Sequence, residues 1–275
     1  MLKQRIITAL VLLPVVLGGV FLVPRQSFAV LAALFFLAAA WEWAGMTLRQ
    51  ALLPRLLSVF AVAALMLLVE WRQPAWVLTL LPLCWLVALV LIVAHPGSTG
   101  RWCRQPWLTP VGWLLLVPSW AALVHLQSTG AFGLSGPWAL LFILCWVWAA
   151  DTGAYFVGRA LGRHKLAPAV SPGKTLEGAA GGLALAMVVA ALVAWQGPVE
   201  AADRLPLLLV ALCTVLASVA GDLFESLIKR QRGVKDSGTM LPGHGGMLDR
   251  IDSLTAALPV AVMLISWLSL PGGLS

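Results

Sequence analysis

The sequence predicts an all-α, polytopic integral membrane protein with about nine transmembrane helices. Hydrophobic residues make up 61% of the 275 residues and charged residues 11%, and the mean hydropathy is +0.94. Soluble domains have roughly 45–50% apolar and 25% charged residues. Most of the apolar segments approach the ~20 residues that a membrane-spanning helix needs, although the third is short and its full span stays open. We place them at 6-23, 28-46, 56-70, 76-94, 107-126, 137-157, 176-195, 205-228 and 254-270.

Positive residues predict the orientation of this bundle, because Lys and Arg accumulate in cytoplasmic loops. With nine spans, the N-terminus and the loops after segments 2, 4, 6 and 8 share one side of the membrane. Of the 18 Lys and Arg residues, only Arg25, Arg72 and Arg204 fall on the other side. We therefore expect the two polar loops, 158-175 and 229-253, to face the cytoplasm.

The first segment has a second interpretation, a cleaved signal peptide. Lys3 and Arg5 precede its apolar core, and Ser27-Phe28-Ala29 has the small residues of a cleavage site. The apolar run is long for a signal peptide and eight further segments follow. We favour an uncleaved helix.

Composition also narrows the classes of partner. The net charge of +7 is spread over the predicted cytoplasmic loops, which suits anionic lipid headgroups and does not indicate nucleic acid binding. The four cysteines contain no CxxC pair, so neither a zinc site nor a disulfide framework is indicated.

Acidic residues divide the chain into two parts. Only Glu42 and Glu70 precede residue 150, whereas the other nine of the 11 acids follow it. We predict an N-terminal transmembrane scaffold of about five helices over 1-135. The catalytic transmembrane region, with about four helices and both polar loops, is predicted over 136-275.

The stretch 226-252 concentrates charge in this apolar chain, in the pattern of a polyphosphate site. Glycines between its charges, including Gly245 and Gly246, let backbone N–H groups approach phosphate oxygens. His244 could be a base, a phosphate donor or a solvated residue, and we favour binding or charge stabilisation because a phosphomonoester is already largely ionised at neutral pH. The charged residues of the stretch are Lys229, Arg230, Arg232, Lys235, Asp236, Asp249, Arg250 and Asp252.

Asp222, Glu225, Ser226 and Lys229 are spaced to share one face of segment 8. A charged Asp facing lipid at the bilayer centre costs roughly 2.5–3.5 kcal/mol, so these acids should face protein, water or a cation. Glu225 and Lys229 could form a purely structural ion pair. Asp222 has no evident partner.

Asp249 and Asp252, three residues apart at the entrance to segment 9, would share a face if that entrance is helical. Carboxylates suit Mg²⁺, which binds through one or two of them plus substrate phosphates. The alternative is acidic residues that stabilise a helix N-terminus.

The other polar loop runs from Ser171 through Lys174 and Thr175 to Glu177. It is not a P-loop, because Pro168 replaces the required first glycine and no strand is predicted before it. A phosphate cradle at the start of segment 7 remains possible on these residues, as does a simple Ser171 cap with proline next to it. Asp151, an acid inside segment 6, is a functional candidate by its position.

These residues resemble the signature of the phosphatidate cytidylyltransferases, also called CDP-diglyceride synthases. Asp151-Thr152-x-Ala154-Tyr155 and the run from Ser171 to Gly178 are also similar to motifs of that family. The signature positions are Ser226, Lys229, Arg230, Lys235, Asp236, Pro242, His244, Gly245, Gly246, Asp249, Arg250 and Asp252.

The resemblance implies conversion of CTP and phosphatidate to CDP-diacylglycerol and pyrophosphate, with Mg²⁺ required and a second cation, such as K⁺, left open. It also implies a homodimer in the bacterial inner membrane with a cytoplasm-facing polar site. Asp222, Asp249 and Asp252 are the expected metal ligands, with Asp236 a weaker candidate. The expected catalytic residues are Asp222, Lys229, Arg230, Lys235, Asp236, His244 and Asp249. The expected substrate-binding residues are Asp151, Ser171, Lys174, Thr175, Glu177, Ser226, Gly245, Gly246 and Arg250.

Two alternatives stay open on the sequence. A CTP-dependent kinase of a polyprenol or similar alcohol would use the same residue types but release CDP. An ion-coupled transporter also places acids in membrane segments, although the acids here gather near segment ends and no repeat is evident.

Overall fold

A computed structural model describes residues 13–48, 51–95, 107–241, 243 and 245–268, and this part of the chain is overwhelmingly helical. Eight of its helical segments are long and apolar enough to cross a membrane. The helices are α1 (Leu13–Leu22), α2 (Arg25–Thr47), α3 (Leu52–Arg72), α4 (Ala75–Thr79), α5 (Cys84–Val93), α6 (Leu108–Thr129), α7 (Gly136–Leu161), α8 (Leu176–Gln196), α9 (Arg204–Gln231) and α10 (Leu248–Leu268).

The all-α membrane class is confirmed, and eight of the nine predicted segments correspond to these candidate spans. The third segment is longer than predicted, since α3 has 21 residues. The fourth span, Ala75–Val93, consists of α4 and α5 joined by a 3-10 turn at Leu81–Leu83, where Pro82 lacks the N–H of a regular helix. Of the first segment, only α1 lies within the described residues.

The predicted loop 229-253 was too wide at both ends. Helix α9 continues to Gln231 and α10 already begins at Leu248, so Lys229 and Arg230 lie on α9 and the Asp249–Asp252 pair lies on α10. The entrance to the last segment is therefore helical, which was the condition for Asp249 and Asp252 to share one helix face. Charged and glycine-rich residues favoured the loop interpretation, whereas packing between the helices extends the helical structure.

The loop 158-175 contains an antiparallel hairpin that the sequence did not predict. Its strands are β1 (Lys165–Ala167) and β2 (Ser171–Thr175), with Lys165 opposite Thr175. The proposed Ser171 cap is wrong, because Thr175 is the N-cap of α8 and its hydroxyl accepts a hydrogen bond from the Gly178 N–H at 3.1 Å. The strand ends at the residue that starts the helix, so Lys174 is held at this junction.

Glycines allow the C-terminal helices to pack closely. A Cβ on Gly182 of α8 would lie 2.3 Å from the carbonyl oxygen of Ala150 on α7. One on Gly221 of α9 would lie 2.6 Å from the carbonyl oxygen of Asp252 on α10. The Gly178/Gly182 pair is therefore a helix-packing motif. The close contacts bring the acidic residues of α7, α9 and α10 together.

Helix α6 lies at the centre of the bundle and connects the N-terminal helices with the C-terminal helices. About 67% of its most apolar 18-residue stretch is buried in the protein, against 17% for α3. The Ser119 hydroxyl of α6 donates to the Thr255 carbonyl of α10 at 2.7 Å, and the Trp120 indole donates to the Ala29 carbonyl of α2 at 3.0 Å. The N-terminal helices are thus fixed against the helices that carry the site.

Candidate functional site

The two motifs predicted on separate segments meet through Lys174 and Asp222. The Lys174 ammonium, on β2, forms an ion pair with the Asp222 carboxylate on α9. The Ser226 hydroxyl, one turn further along α9, donates to the other oxygen of Asp222 at 3.3 Å. The partner that Asp222 lacked in the sequence is therefore a lysine 48 residues away. This contact places the hairpin against the polar face of α9.

Lys229 links α9 to α10. Its ammonium lies 3.1 Å from Glu225 on the same helix and 2.7 Å from Asp249 on α10. The i,i+4 pair considered for Glu225 is present, but it is only half of the arrangement. Lys229 is only 8% exposed, and a buried cation of this kind depends strongly on its carboxylate partners. The site therefore has a rigid charged centre between the two helices.

Asp249 organises the loop before α10. One carboxylate oxygen accepts a hydrogen bond from the Gly246 N–H at 2.8 Å and one from the Ser237 N–H at 2.9 Å. Asp249 also lies in the first turn of α10, so the helix-stabilising interpretation holds alongside its contact with Lys229. Gly245 has a φ of +82°, and a Cβ there would lie 2.9 Å from the Asp249 carboxylate. Glycine at 245 is required by both the backbone and the space.

A cavity of about 440 Å³ opens between β2 and helices α7, α8, α9 and α10. Its size is that of a small-molecule site, and small residues of α7 and α8 form one wall. Ser226, Lys229 and Asp249 lie behind the cavity rather than among its lining residues. The polar and charged lining residues are Asp151, Tyr155, Arg159, Lys174, Thr175, Ser218, Asp222 and Ser253.

Glu177 has a different place from the one expected. Its carboxylate accepts hydrogen bonds from the backbone N–H groups of Arg163 and His164 at 3.1 and 3.2 Å, and it contacts the His164 ring nitrogen at 2.6 Å. It fixes the entry into the hairpin and does not line the cavity. His164 is thus the side-chain partner of Glu177.

The remaining predicted residues lie around this centre at different depths. Arg230, Lys235 and Asp236 are exposed, and the Arg230 guanidinium donates to the Val234 carbonyl at 3.3 Å. Ser171 is half-buried on β2. His244 lies outside the described residues. The structure thus unites Asp151, Lys174 and Asp222 in one cavity and leaves the exposed basic residues at its periphery.

Glu42 of α2, which falls in the scaffold predicted from the sequence, contacts the loop and helix that adjoin the candidate site. It is only 3% exposed, and one carboxylate oxygen accepts hydrogen bonds from the Ser237 hydroxyl at 3.0 Å and the Leu248 N–H at 2.9 Å. It therefore holds the loop and the first residue of α10 from the far side. An acid within an apolar helix is itself a signal of function, and this rule could have identified it.

Carboxylates outnumber the ammonium groups that contact them in this centre. Asp252 lies close enough to Asp222 and Glu225 for charge repulsion. Among the described residues, no three acidic, His or Cys side chains form a ready metal cluster. Mg²⁺ needs only one or two carboxylates when phosphates supply other ligands, and Asp222, which lines the cavity, has the chemistry of such a ligand.

Known proteins match this chain in sequence over nearly its whole length. A family model described as the cytidylyltransferase family matches residues 3–268. A Pseudomonas aeruginosa protein named phosphatidate cytidylyltransferase is 45% identical over 96% of this chain and 97% of its own length. Proteins of the same name from Haemophilus influenzae and Brucella suis are each 37% identical, over 94% and 93% of this chain and 96% and 90% of their own lengths.

Proposed function

We infer the reaction from one premise, that the chain belongs to the cytidylyltransferase family. It is a membrane-bound nucleotidyltransferase, and the names of its relatives identify it as a phosphatidate cytidylyltransferase. We propose that it converts CTP and phosphatidate to CDP-diacylglycerol and pyrophosphate in the cavity between the hairpin and α7 to α10. The observation that carries this proposal is the ion pair of Lys174 and Asp222 in the cavity wall. It places a cation that can bind phosphate beside a carboxylate that can bind a metal ion.

The proposed reaction is an in-line displacement at the α-phosphorus of CTP. A phosphate oxygen of phosphatidate forms the new P–O bond, and the bond from the α-phosphorus to the bridging oxygen of the β-phosphate breaks. The electron pair of that bond leaves with pyrophosphate. Because the attacking phosphate is already largely ionised near neutral pH, the reaction requires no dedicated general base.

Charge stabilisation is the main task of the protein in this mechanism, since both reactants are anions. Fixed cations aimed at the position of developing charge lower the barrier without reorganising during the reaction. Lys174 lines the cavity and can exchange its contact with Asp222 for a phosphate oxygen. Arg159 lines the same wall, so both cations can reach a bound polyphosphate. Lys229 acts from behind, by holding Asp249 and Glu225 in place.

Asp222 and Asp249 are the proposed Mg²⁺ ligands, with Asp252 and Asp236 as weaker candidates. The ion would neutralise phosphate charge and orient the departing pyrophosphate. Each of the two proposed ligands also contacts a lysine ammonium. A second cation, such as K⁺, would be consistent with the remaining buried carboxylates. His244, Lys235 and Arg230 stay proposed phosphate-binding residues of the adjoining loop.

The distribution of positive charge supports a cytoplasm-facing site in the bacterial inner membrane. The hairpin and the α9–α10 loop both belong to the side that carries most Lys and Arg residues. CTP would then enter from the cytoplasm, and phosphatidate from the membrane. A homodimer remains the expectation from the family resemblance.

The experiment uses the purified protein in detergent with phosphatidate, Mg²⁺ and CTP labelled at the α-phosphate. We expect the label in a lipid product and equimolar pyrophosphate. Lys174→Met should reduce turnover strongly, whereas Lys165→Met, an exposed lysine on the other strand of the hairpin, should leave it unchanged. Release of CDP without a labelled lipid would instead identify a lipid kinase and overturn the proposal.

A further inference from the structure

A second, apolar cavity adjoins the proposed reaction cavity. It has a volume of about 240 Å³ and lies between α1, α2, α6, α7 and the start of α10. We call it the apolar groove and define it by Val16, Leu31, Phe35, Leu144, Trp148 and Arg250. Arg250 is the one charged residue among its described lining residues.

The two cavities meet between α7 and α10. On α7, Trp148 lines the groove and Asp151, three residues later, lines the reaction cavity. On α10, Arg250 lines the groove and Ser253, again three residues later, lines the reaction cavity. Residues three apart are neighbours on one helix surface, so on each of the two helices a residue of the groove lies beside a residue of the reaction cavity. Arg250 and Asp151 are also close enough to interact electrostatically across this boundary.

The groove extends away from this boundary along the helices. Leu140, Leu144 and Trp148 form a stripe on α7, which covers about 12 Å of helix length. Ile251 and Leu254 continue from Arg250 along α10. The polar boundary thus lies at one end of the groove, and apolar side chains line the rest of its length over nearly half the ~30 Å of a hydrocarbon core.

A lipid with an anionic headgroup matches this arrangement, in which a cation lies at one end of the groove and apolar side chains line the rest. A guanidinium binds phosphate oxygens through two parallel hydrogen bonds, and a phosphomonoester offers more charge to it than a phosphodiester lipid does. Apolar side chains at the depth of the hydrocarbon core suit an acyl chain. Trp148 at the boundary has the amphipathic ring that is typical of the level between lipid heads and tails.

We propose that the apolar groove holds one acyl chain of phosphatidate while Arg250 presents its phosphate to the reaction cavity. This inference rests on the proposed function and adds the place of the lipid chain to it. The nucleotide would occupy the cavity beside Lys174, and the lipid phosphate would reach it past Asp151. Helix α1 then forms part of the lipid site, and is not only an anchor.

Filling the groove tests this proposal. Leu31 on α2 is half-buried in it, whereas Leu34 on the same helix is 61% exposed and does not line it. Leu31→Trp should raise KM for dioleoyl phosphatidate by about tenfold, the effect of an apolar misfit in a hydrophobic pocket. KM for CTP and turnover of dihexanoyl phosphatidate should stay unchanged. Leu34→Trp should match the parent protein with both lipids.

No loss with either lipid, or an equal loss with both lipids in a variant whose KM for CTP is unchanged, would overturn the groove assignment. Because the short lipid reports on the folded site, misfolding of Leu31→Trp is distinguishable from a blocked groove. A second experiment needs no turnover: phosphatidate with a photoreactive acyl chain is crosslinked to the parent protein, with an equivalent phosphatidylcholine for comparison. We expect phosphatidate to label the groove residues preferentially, and Arg250→Gln to remove the preference.

Equal labelling by both lipids would show an ordinary membrane contact and refute the proposal. Failure of the proposed function has a different result, since the parent protein would then form no CDP-diacylglycerol from either phosphatidate. The labelling experiment would still decide whether the groove binds the lipid. The two hypotheses can therefore fail separately.

Discussion

Replacement of Glu42 tests whether a residue of the N-terminal helices controls the site. Its carboxylate accepts two hydrogen bonds, from the Ser237 hydroxyl and the Leu248 N–H, and it is almost fully buried. Hydrogen bonds to a charged group contribute about 1.5–3 kcal/mol each and neutral ones about 0.5–1.5 kcal/mol. Glu42→Ala should therefore destabilise the ordered loop by about 3–6 kcal/mol. Glu42→Gln, which keeps an acceptor oxygen, should cost about 2 kcal/mol.

The assay combines CDP-diacylglycerol formation with hydrogen exchange of the amides around Ser237 and Leu248. Glu42→Ala should lose most activity and exchange these amides faster, with Glu42→Gln between it and the parent protein. Glu70→Ala is the matched control, because Glu70 is the other acid of the N-terminal region and pairs with Arg25. Normal exchange and normal activity of Glu42→Ala would refute the role assigned to this contact.

Three further predictions concern the centre itself. Asp222→Asn should reduce CDP-diacylglycerol formation by about a hundredfold or more, the usual effect of removing one charge-stabilising group, with little change in thermal unfolding; near-normal rates would remove Asp222 from the metal site. Gly245→Ala should cost about 1–3 kcal/mol because alanine is strained at positive φ, and should slow turnover, whereas Gly18→Ala, with open space around it, should not; equal unfolding temperatures of the two variants would contradict the backbone argument. Chelation by EDTA should stop turnover and added Mg²⁺ should restore it, and activity that survives exhaustive chelation would exclude the metal assignment.

The lysine contacts explain how a membrane protein can store this many charged residues in one place. Lys229 is shared by Glu225 and Asp249, and Lys174 contacts Asp222. Breaking a buried ion pair by removing one partner costs roughly 3–5 kcal/mol, and this cost applies to the almost fully buried contacts of Lys229. The ion pair of Lys174 and Asp222 is only half-buried and costs less to break, which is why Lys174 is the lysine proposed to bind a substrate phosphate.

The membrane class, the approximate place of the eight described spans and the residue types of the candidate site could be predicted from the sequence. These properties are local: an apolar run of about 20 residues is helical in a bilayer because only a helix satisfies every backbone hydrogen bond within the segment. The spacing of Asp222 and Ser226 on one face follows from helix geometry in the same way. Charged residues within apolar segments could also be identified as candidate site residues, although Glu42 was assigned to the scaffold.

Only the tertiary structure decided which of these residues meet. Lys174 and Asp222 are 48 residues apart in sequence, and Glu42 and Leu248 are 206 apart. Contacts of this range depend on how the helices are arranged around α6, and the hydropathy pattern does not determine that arrangement. The hairpin at Lys165–Thr175 likewise depends on its packing against α8 and α9, because a stretch with proline and glycine has no strong preference of its own. Local hydrophobicity specifies the helices, whereas close packing at glycines and buried ion pairing specify the site between them.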